Sequence, residues 1–135
     1  IIESLNRLGI ESEFKPINDI ITNGKKISGN AQTRRNDILL QHGTILYTVD
    51  VDKMFSLLKV PNEKIKDKMI ASVKERVTSV KNIKDITEQQ LYEALLAGFT
   101  ENKEWKLGKI TQEELTKAKE LAKERYETNE WNFKR

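Results

Sequence analysis

Asn23-Gly24, set between the short runs Asp19-Ile20-Ile21-Thr22 and Lys25-Lys26-Ile27-Ser28, constrains this chain more than any other pair of residues. Asn and Gly both accept the left-handed backbone that a two-residue type I′ turn requires, and such a turn fixes the register of its strands. A regular hairpin then sets Thr22 opposite Lys25, Ile21 opposite Lys26, Ile20 opposite Ile27 and Asp19 opposite Ser28. Because side chains alternate along a strand, Asp19, Ile21, Lys26, Ser28 and Asn30 are predicted to share one face. There Lys26 and Asp19 are diagonal neighbours with Cβ atoms roughly 7 Å apart, within reach of one bound phosphate or metal. A third strand, about Ile38 to Val49, completes an antiparallel meander.

Around the hairpin the pattern is helical. Ile1, Ile2, Leu5 and Leu8 make an apolar stripe that ends at Gly9, a C-capping glycine. Asp50 caps a helix carrying Val51, Met54, Phe55 and Leu58, stopped before Pro61, and Asn62 starts a short basic helix toward Met69. Thr87 with Gln90 and Thr111 with Glu114 are two capping boxes. The first opens a helix with Leu91, Leu95 and Phe99, the second one with Leu115, Ala118, Ala122 and Tyr126. Trp131 and Phe133 are expected to fold back onto the core. The chain opens without methionine and inside a helix, which reads as a cut.

At 135 residues there is material for one core. A 37% hydrophobic and 33% charged composition suits a soluble globular protein, and no run is long enough to span a membrane. With no cysteine there is no disulfide, thiolate ligand or thiol nucleophile, and a cytoplasmic location is compatible. One histidine argues against a protein-built zinc site. The net charge of +3 is uneven: Lys59, Lys64, Lys66, Lys68, Lys74, Arg76, Lys81 and Lys84 face only Glu63, Asp67 and Glu75 between residues 59 and 84. That segment reads either as a solvated surface or as an attractor of an acidic partner or nucleotide. It holds no aromatic residue, which gives little support to nucleic-acid binding by stacking.

The runs Gly24-Lys25-Lys26-Ile27-Ser28-Gly29-Asn30-Ala31-Gln32 and Leu40-Gln41-His42-Gly43-Thr44-Ile45-Leu46 resemble the GKKISGNA and LQHGTIL signatures of the lipoate-protein ligase A family. The LKVPNEKIKDKM and SVKERVT stretches and Glu130-Trp131-Asn132-Phe133 resemble it as well, and the ending is most similar to archaeal-type members. The resemblance implies an α/β (α+β) fold, an antiparallel or mixed sheet packed by helices, as in the class II biotin and lipoate ligases. It makes residues 1–135 the second half of the catalytic domain, an incomplete domain without the N-terminal half or the accessory C-terminal domain. Each of these is expected as a partner, on the same or a second chain.

The activity so implied is adenylation of lipoate with ATP and Mg²⁺, then lipoyl transfer to a lysine of an acceptor domain. The implied acceptors are lipoyl domains of 2-oxo acid dehydrogenase complexes or the glycine cleavage H protein. Lys26 matches the lysine that contacts carboxylate and phosphate, and fixed positive charge is what two approaching anions need. Asp19, in Asn18-Asp19-Ile20, matches an Asn-Asp-hydrophobic element and is the expected Mg²⁺ ligand. Gly29, Asn30, Ala31, His42 and Thr44 are the expected substrate-binding residues. Gly29 and Gly43 mark close approach of a ligand or another backbone, or ordinary bulges. Ser72–Thr78 carries no assigned chemical step. The P-loop, HExxH and G-x-S-x-G patterns are absent, as is the family's Arg-Arg, glycine-rich ATP segment. Two alternatives stand beside the ligase. One is an octanoyl transferase relative, whose cysteine lies just upstream of the hairpin, where this chain has Ser12-Glu13-Phe14. The other is a noncatalytic subunit that binds an acidic partner.

Overall fold

The computed structural model describes residues 1–58 and 63–134. Lys59, Pro61 and Asn62, used above in the basic segment, as a helix stop and as a helix start, lie outside the described residues, as does the side chain of Lys64. The chain forms two compact units, Ile1–Asn102 and Lys103–Arg135.

In the first unit β1 (Glu13–Lys15), β2 (Asp19–Thr22), β3 (Lys25–Arg35) and β4 (Ile38–Ile45) form an antiparallel sheet in the order β1-β2-β3-β4. The Asn23-Gly24 turn is as expected, with φ of 49° and 73°, and Thr22 faces Lys25 and Ile21 faces Lys26. A second two-residue turn, Asn36-Asp37 with φ of 51° and 60°, closes β3 onto β4. Asn and Asp tolerate this left-handed backbone better than other non-glycine residues.

Beyond Lys26 the expected register fails. Ile20 faces Ser28 rather than Ile27, and Asp19 faces Gly29 rather than Ser28, so Ile27 is an extra residue in β3. This bulge turns Ile27 and Ser28 to the same side, where both are fully buried beside Ile20. Lys26 and Gly29 then share the other side, and Ser28 and Asn30 leave the face first assigned to them. The third strand also ends earlier than Val49, at Ile45, although the Leu46 N–H still donates to the Ile27 carbonyl at 2.9 Å.

Among the described residues five helices complete the unit. α1 (Ile2–Arg7) ends at Gly9, φ 71°, with Gly9 N–H donating to Asn6 at 2.8 Å and Ile10 N–H to Leu5 at 2.9 Å. That pattern is a Schellman cap. α2 (Val51–Leu57) is capped by the Asp50 carboxylate. α3 runs Glu63–Arg76, longer than the short basic helix expected. α4 (Val80–Ile83) had no periodic signal in four residues. α5 (Glu88–Thr100) has the Thr87/Gln90 capping box. Leu5, Ile10, Ile20, Ile27, Val80, Ile86 and Leu91 form the core between helices and sheet. α1 lies close on α5 at Gly98, where a Cβ would stand 2.2 Å from the Ser4 hydroxyl.

In the second unit α6 (Gln112–Leu121) has the Thr111/Glu114 capping box. A π-helical turn, Ala122–Tyr126, leads to α7 (Asn129–Asn132). Trp131 and Phe133 are not core residues, contrary to expectation. Trp131 packs edge-to-face on Tyr126, with the Arg125 guanidinium 4.0 Å from its ring centroid, and Phe133 is 77% exposed.

Candidate active site

The bulge and the two turns bring one set of side chains together. Lys26 Nζ lies 2.6 Å from Asp19 Oδ1, and both side chains remain partly open to solvent. A Cβ on Gly29 would sit 3.0 Å from Lys26 Cε, 3.1 Å from its Nζ and 3.9 Å from Asp19 Oδ1. The lysine therefore lies flat across the glycine, and the missing side chain is its berth. Gly29 pairs with Thr44 and Ala31 with His42, so alternation places Ala31, His42 and Thr44 on this same face. All three are exposed. The face presents an ammonium, a carboxylate, a hydroxyl and an imidazole above a glycine floor, a surface suited to an anionic ligand.

Asn30 is turned away from this set. Its Nδ2 donates to Ser28 Oγ at 3.2 Å and to the Asn18 carbonyl at 3.3 Å, and its backbone N–H reaches the same carbonyl at 3.0 Å. The Asn18 side chain returns a hydrogen bond to the Asn30 carbonyl. Asn30 thus braces β3 against the β1–β2 connection from behind the site. Gly43, opposite it, is explained by the same side chain: a Cβ there would be 2.5 Å from Asn30 Oδ1 and 2.9 Å from the Gly29 carbonyl. On Asn30's side of the sheet a cavity of about 630 Å³ opens, lined by Ile1, Ile2, Ile17, Ile20 and Phe99 among others. Its lining mixes these apolar side chains with Glu3, Asn18, Asn30 and Gln41, and Lys26 is not among the lining residues.

Four cations of the basic segment are engaged within the fold. Lys74 pairs with Asp52 at 2.6 Å, Arg76 bonds Ser72 of its own helix, Lys81 pairs with Asp85, and Lys84 donates to the Leu8 carbonyl at 2.7 Å. The last closes the C-terminal end of α1, where a cation is favoured. Among the described residues no group of three acidic or histidine side chains gathers to hold a metal. Asp19 is a single carboxylate, and that fits Mg²⁺, which commonly takes one or two carboxylates with nucleotide oxygens and water.

Residues 1–100 match the lipoyl protein ligase A/B catalytic domain. The chain belongs to this family. It is 40% identical to the octanoyltransferase LipM of Brevibacillus brevis over 121 residues, 87% of this chain and 44% of that protein. It is 34% identical to the lipoate-protein ligase LplJ of Bacillus subtilis over 140 residues, all of this chain and 42% of that protein. The chain thus spans less than half the length of these curated relatives. Among solved structures it is similar to the bipartite lipoate protein ligase of Thermoplasma acidophilum, from an archaeal lipoylation system studied with its E2 lipoyl domain. The TM-score is 0.87 at 35% identity, covering 97% of this chain and 53% of that one. The fold is that of the class II biotin and lipoate ligases. No helix among the described residues is long and apolar enough to cross a membrane.

Proposed function

We propose that this chain is part of a cytoplasmic, ATP-dependent ligase that activates lipoate, or a close analogue such as octanoate, and passes it to a lysine of a lipoyl acceptor domain. The observation that carries the reading is Lys26 lying across Gly29, 2.6 Å from Asp19. In adenylation a carboxylate oxygen attacks the α-phosphorus of ATP and the bond to pyrophosphate breaks. The Lys26 ammonium offsets the repulsion between those anions at the point where charge concentrates, which is what a preorganised cation does best. Asp19 fixes the ammonium's direction beforehand and would hold Mg²⁺ with the nucleotide. Bound there, Mg²⁺ supplies charge neutralisation on the triphosphate. Gly29 leaves room for close approach, and Ala31, His42 and Thr44 line the floor. The acceptor amine then attacks the acyl carbon and AMP departs. In this reading residues 1–135 are the second half of a catalytic domain, completed by an N-terminal half and an accessory domain on the same or another chain.

The second reading, octanoyl transfer through an acyl-thioester, is favoured by the 40% identity to an octanoyltransferase. It requires a thiol, and Ser12-Glu13-Phe14 precede β2 in a chain with no cysteine. The two separate on one experiment with the full-length protein. Supplied with lipoate or octanoate and ATP, a ligase releases pyrophosphate and forms an acyl-adenylate detectable by mass spectrometry. Lys26→Met should lower that rate about a hundredfold or more. Octanoyl transfer from an acyl carrier protein without ATP, with no adenylate formed, would overturn the ligase reading.

A further inference from the structure

The stretch Ser72–Thr78 ends against Lys26. As α3 finishes, Val77 forms a parallel bridge with Lys26, and the Thr78 N–H donates to the Lys26 carbonyl at 2.9 Å. The next carbonyl, of Ile27, receives the Leu46 N–H at 2.9 Å, and Leu46 in turn receives the Val80 N–H at 2.8 Å. Both carbonyls at the bulge are therefore satisfied from outside the β2–β3 hairpin. Strand pairing within the hairpin does not choose between the bulged arrangement and the regular one, because either Ile27 or Ser28 can face Ile20. The regular one would set Lys26 beside Ser28 and carry Gly29 to the far side. The selection comes from the chain that crosses at Val77-Thr78.

The neighbouring lysine secures that crossing. Lys25 and Lys26 point to opposite sides of β3. While Lys26 meets Asp19, the Lys25 ammonium donates to the Lys74 carbonyl at 3.1 Å, in the last turn of α3. A cation at a helix C-terminus satisfies an orphan carbonyl and is favoured by the helix dipole. We propose that Lys25 is a positioning residue which, with the Val77-Thr78 crossing, latches the end of α3 to β3 and holds the bulge in the one register that lays Lys26 across Gly29. Lys25 is thereby assigned to the scaffold rather than to an anionic ligand. The catalytic part of this inference rests on the proposed role of Lys26; the latch itself does not.

The test compares Lys25→Met, which keeps the aliphatic stem and loses the donor, with Lys25→Arg, which keeps a donor, both in the full-length protein. Amide hydrogen exchange reads the latch without reference to activity. In Lys25→Met the Thr78 and Leu46 amides should exchange about tenfold faster, with the Leu5 and Ile10 amides unchanged, and Lys25→Arg should restore protection. In adenylation Lys25→Met should lower kcat about tenfold at unchanged KM for ATP, with rescue by Lys25→Arg. Unchanged exchange at Thr78 in Lys25→Met would overturn the latch. A raised KM for ATP with kcat intact would show that Lys25 binds the nucleotide and would overturn it equally. If the parent protein makes no adenylate, the ligase reading fails, and the exchange measurement alone decides the latch.

Discussion

Gly29 and Gly43 pair with adjacent residues across β3 and β4, yet their side chains are missing for different reasons. At Gly29 an added methyl would press on the end of a flexible lysine, at 3.0 Å from Cε and 3.1 Å from Nζ. The fold can yield there by swinging Lys26 aside, and the site then loses its geometry. Gly29→Ala should therefore leave the thermal transition nearly unmoved while the proposed adenylation falls about a hundredfold, as misplacement near 1 Å can cause. A Gly29→Ala enzyme of parental rate would show that the berth is unused. At Gly43 the obstacle includes backbone, with the Gly29 carbonyl 2.9 Å from an added Cβ and Asn30 Oδ1 at 2.5 Å. Gly43→Ala should destabilise the protein by about 1–3 kcal/mol in a denaturant titration, the usual cost of overpacking. No loss of stability would mean that β3 and β4 separate easily at this point.

Among the elements, α6 carries a response to pH at its first turn. The Glu114 carboxylate accepts the Thr111 backbone N–H at 2.7 Å, and this hydrogen bond holds its pKa below the ordinary carboxylate value. A group lowered on folding contributes its stabilisation above the ordinary value and loses it as pH falls through the lowered one. Acidification through the carboxylate range should thus release the Thr111 amide and fray the start of α6, while Glu114→Gln keeps the box and removes the pH response. The Thr111 amide shift followed by NMR checks this; a flat profile in the parent would discount the carboxylate. Such caps were legible in the sequence because a box is local: Thr87/Gln90, Thr111/Glu114, Asp50 and Gly9 all sit where their spacing placed them. The Asn23-Gly24 turn was legible for the same reason. The bulge at Ile27 was not, since both registers bury an acceptable residue opposite Ile20 and the decision lies with Leu46 and Thr78, distant along the chain. The site inherited that limit: Lys26 with Asp19 was foreseen, and the turning away of Asn30 was not. Three-residue β1 and four-residue α4 were too short to show a period.

For the molecule as a whole, the β3–β4 hairpin is an exposed apolar feature. Ile38, Leu39 and Leu40 are 70%, 53% and 56% exposed, and β4 is an edge of the sheet among the described residues. Open edges carrying apolar side chains template pairing with other chains. Residues 1–135 on their own should therefore self-associate, with an apparent mass in sedimentation that grows with concentration, and Leu40→Lys should reduce the growth. A constant monomer mass over a wide concentration range would refute this. The bulge has a different whole-molecule meaning. Lys26 and Gly29 are an odd number of positions apart, and in an unbroken strand odd separations mean opposite sides. The extra residue reverses that parity for everything that follows, and β4, built on β3, inherits the reversal. His42 and Thr44 thus lie on the side of Lys26 because of a count made at Ile27. An insertion or deletion of an odd number of residues between Lys26 and Gly29 would change which half of the downstream hairpin lies on the side of Lys26, even if no residue there were altered.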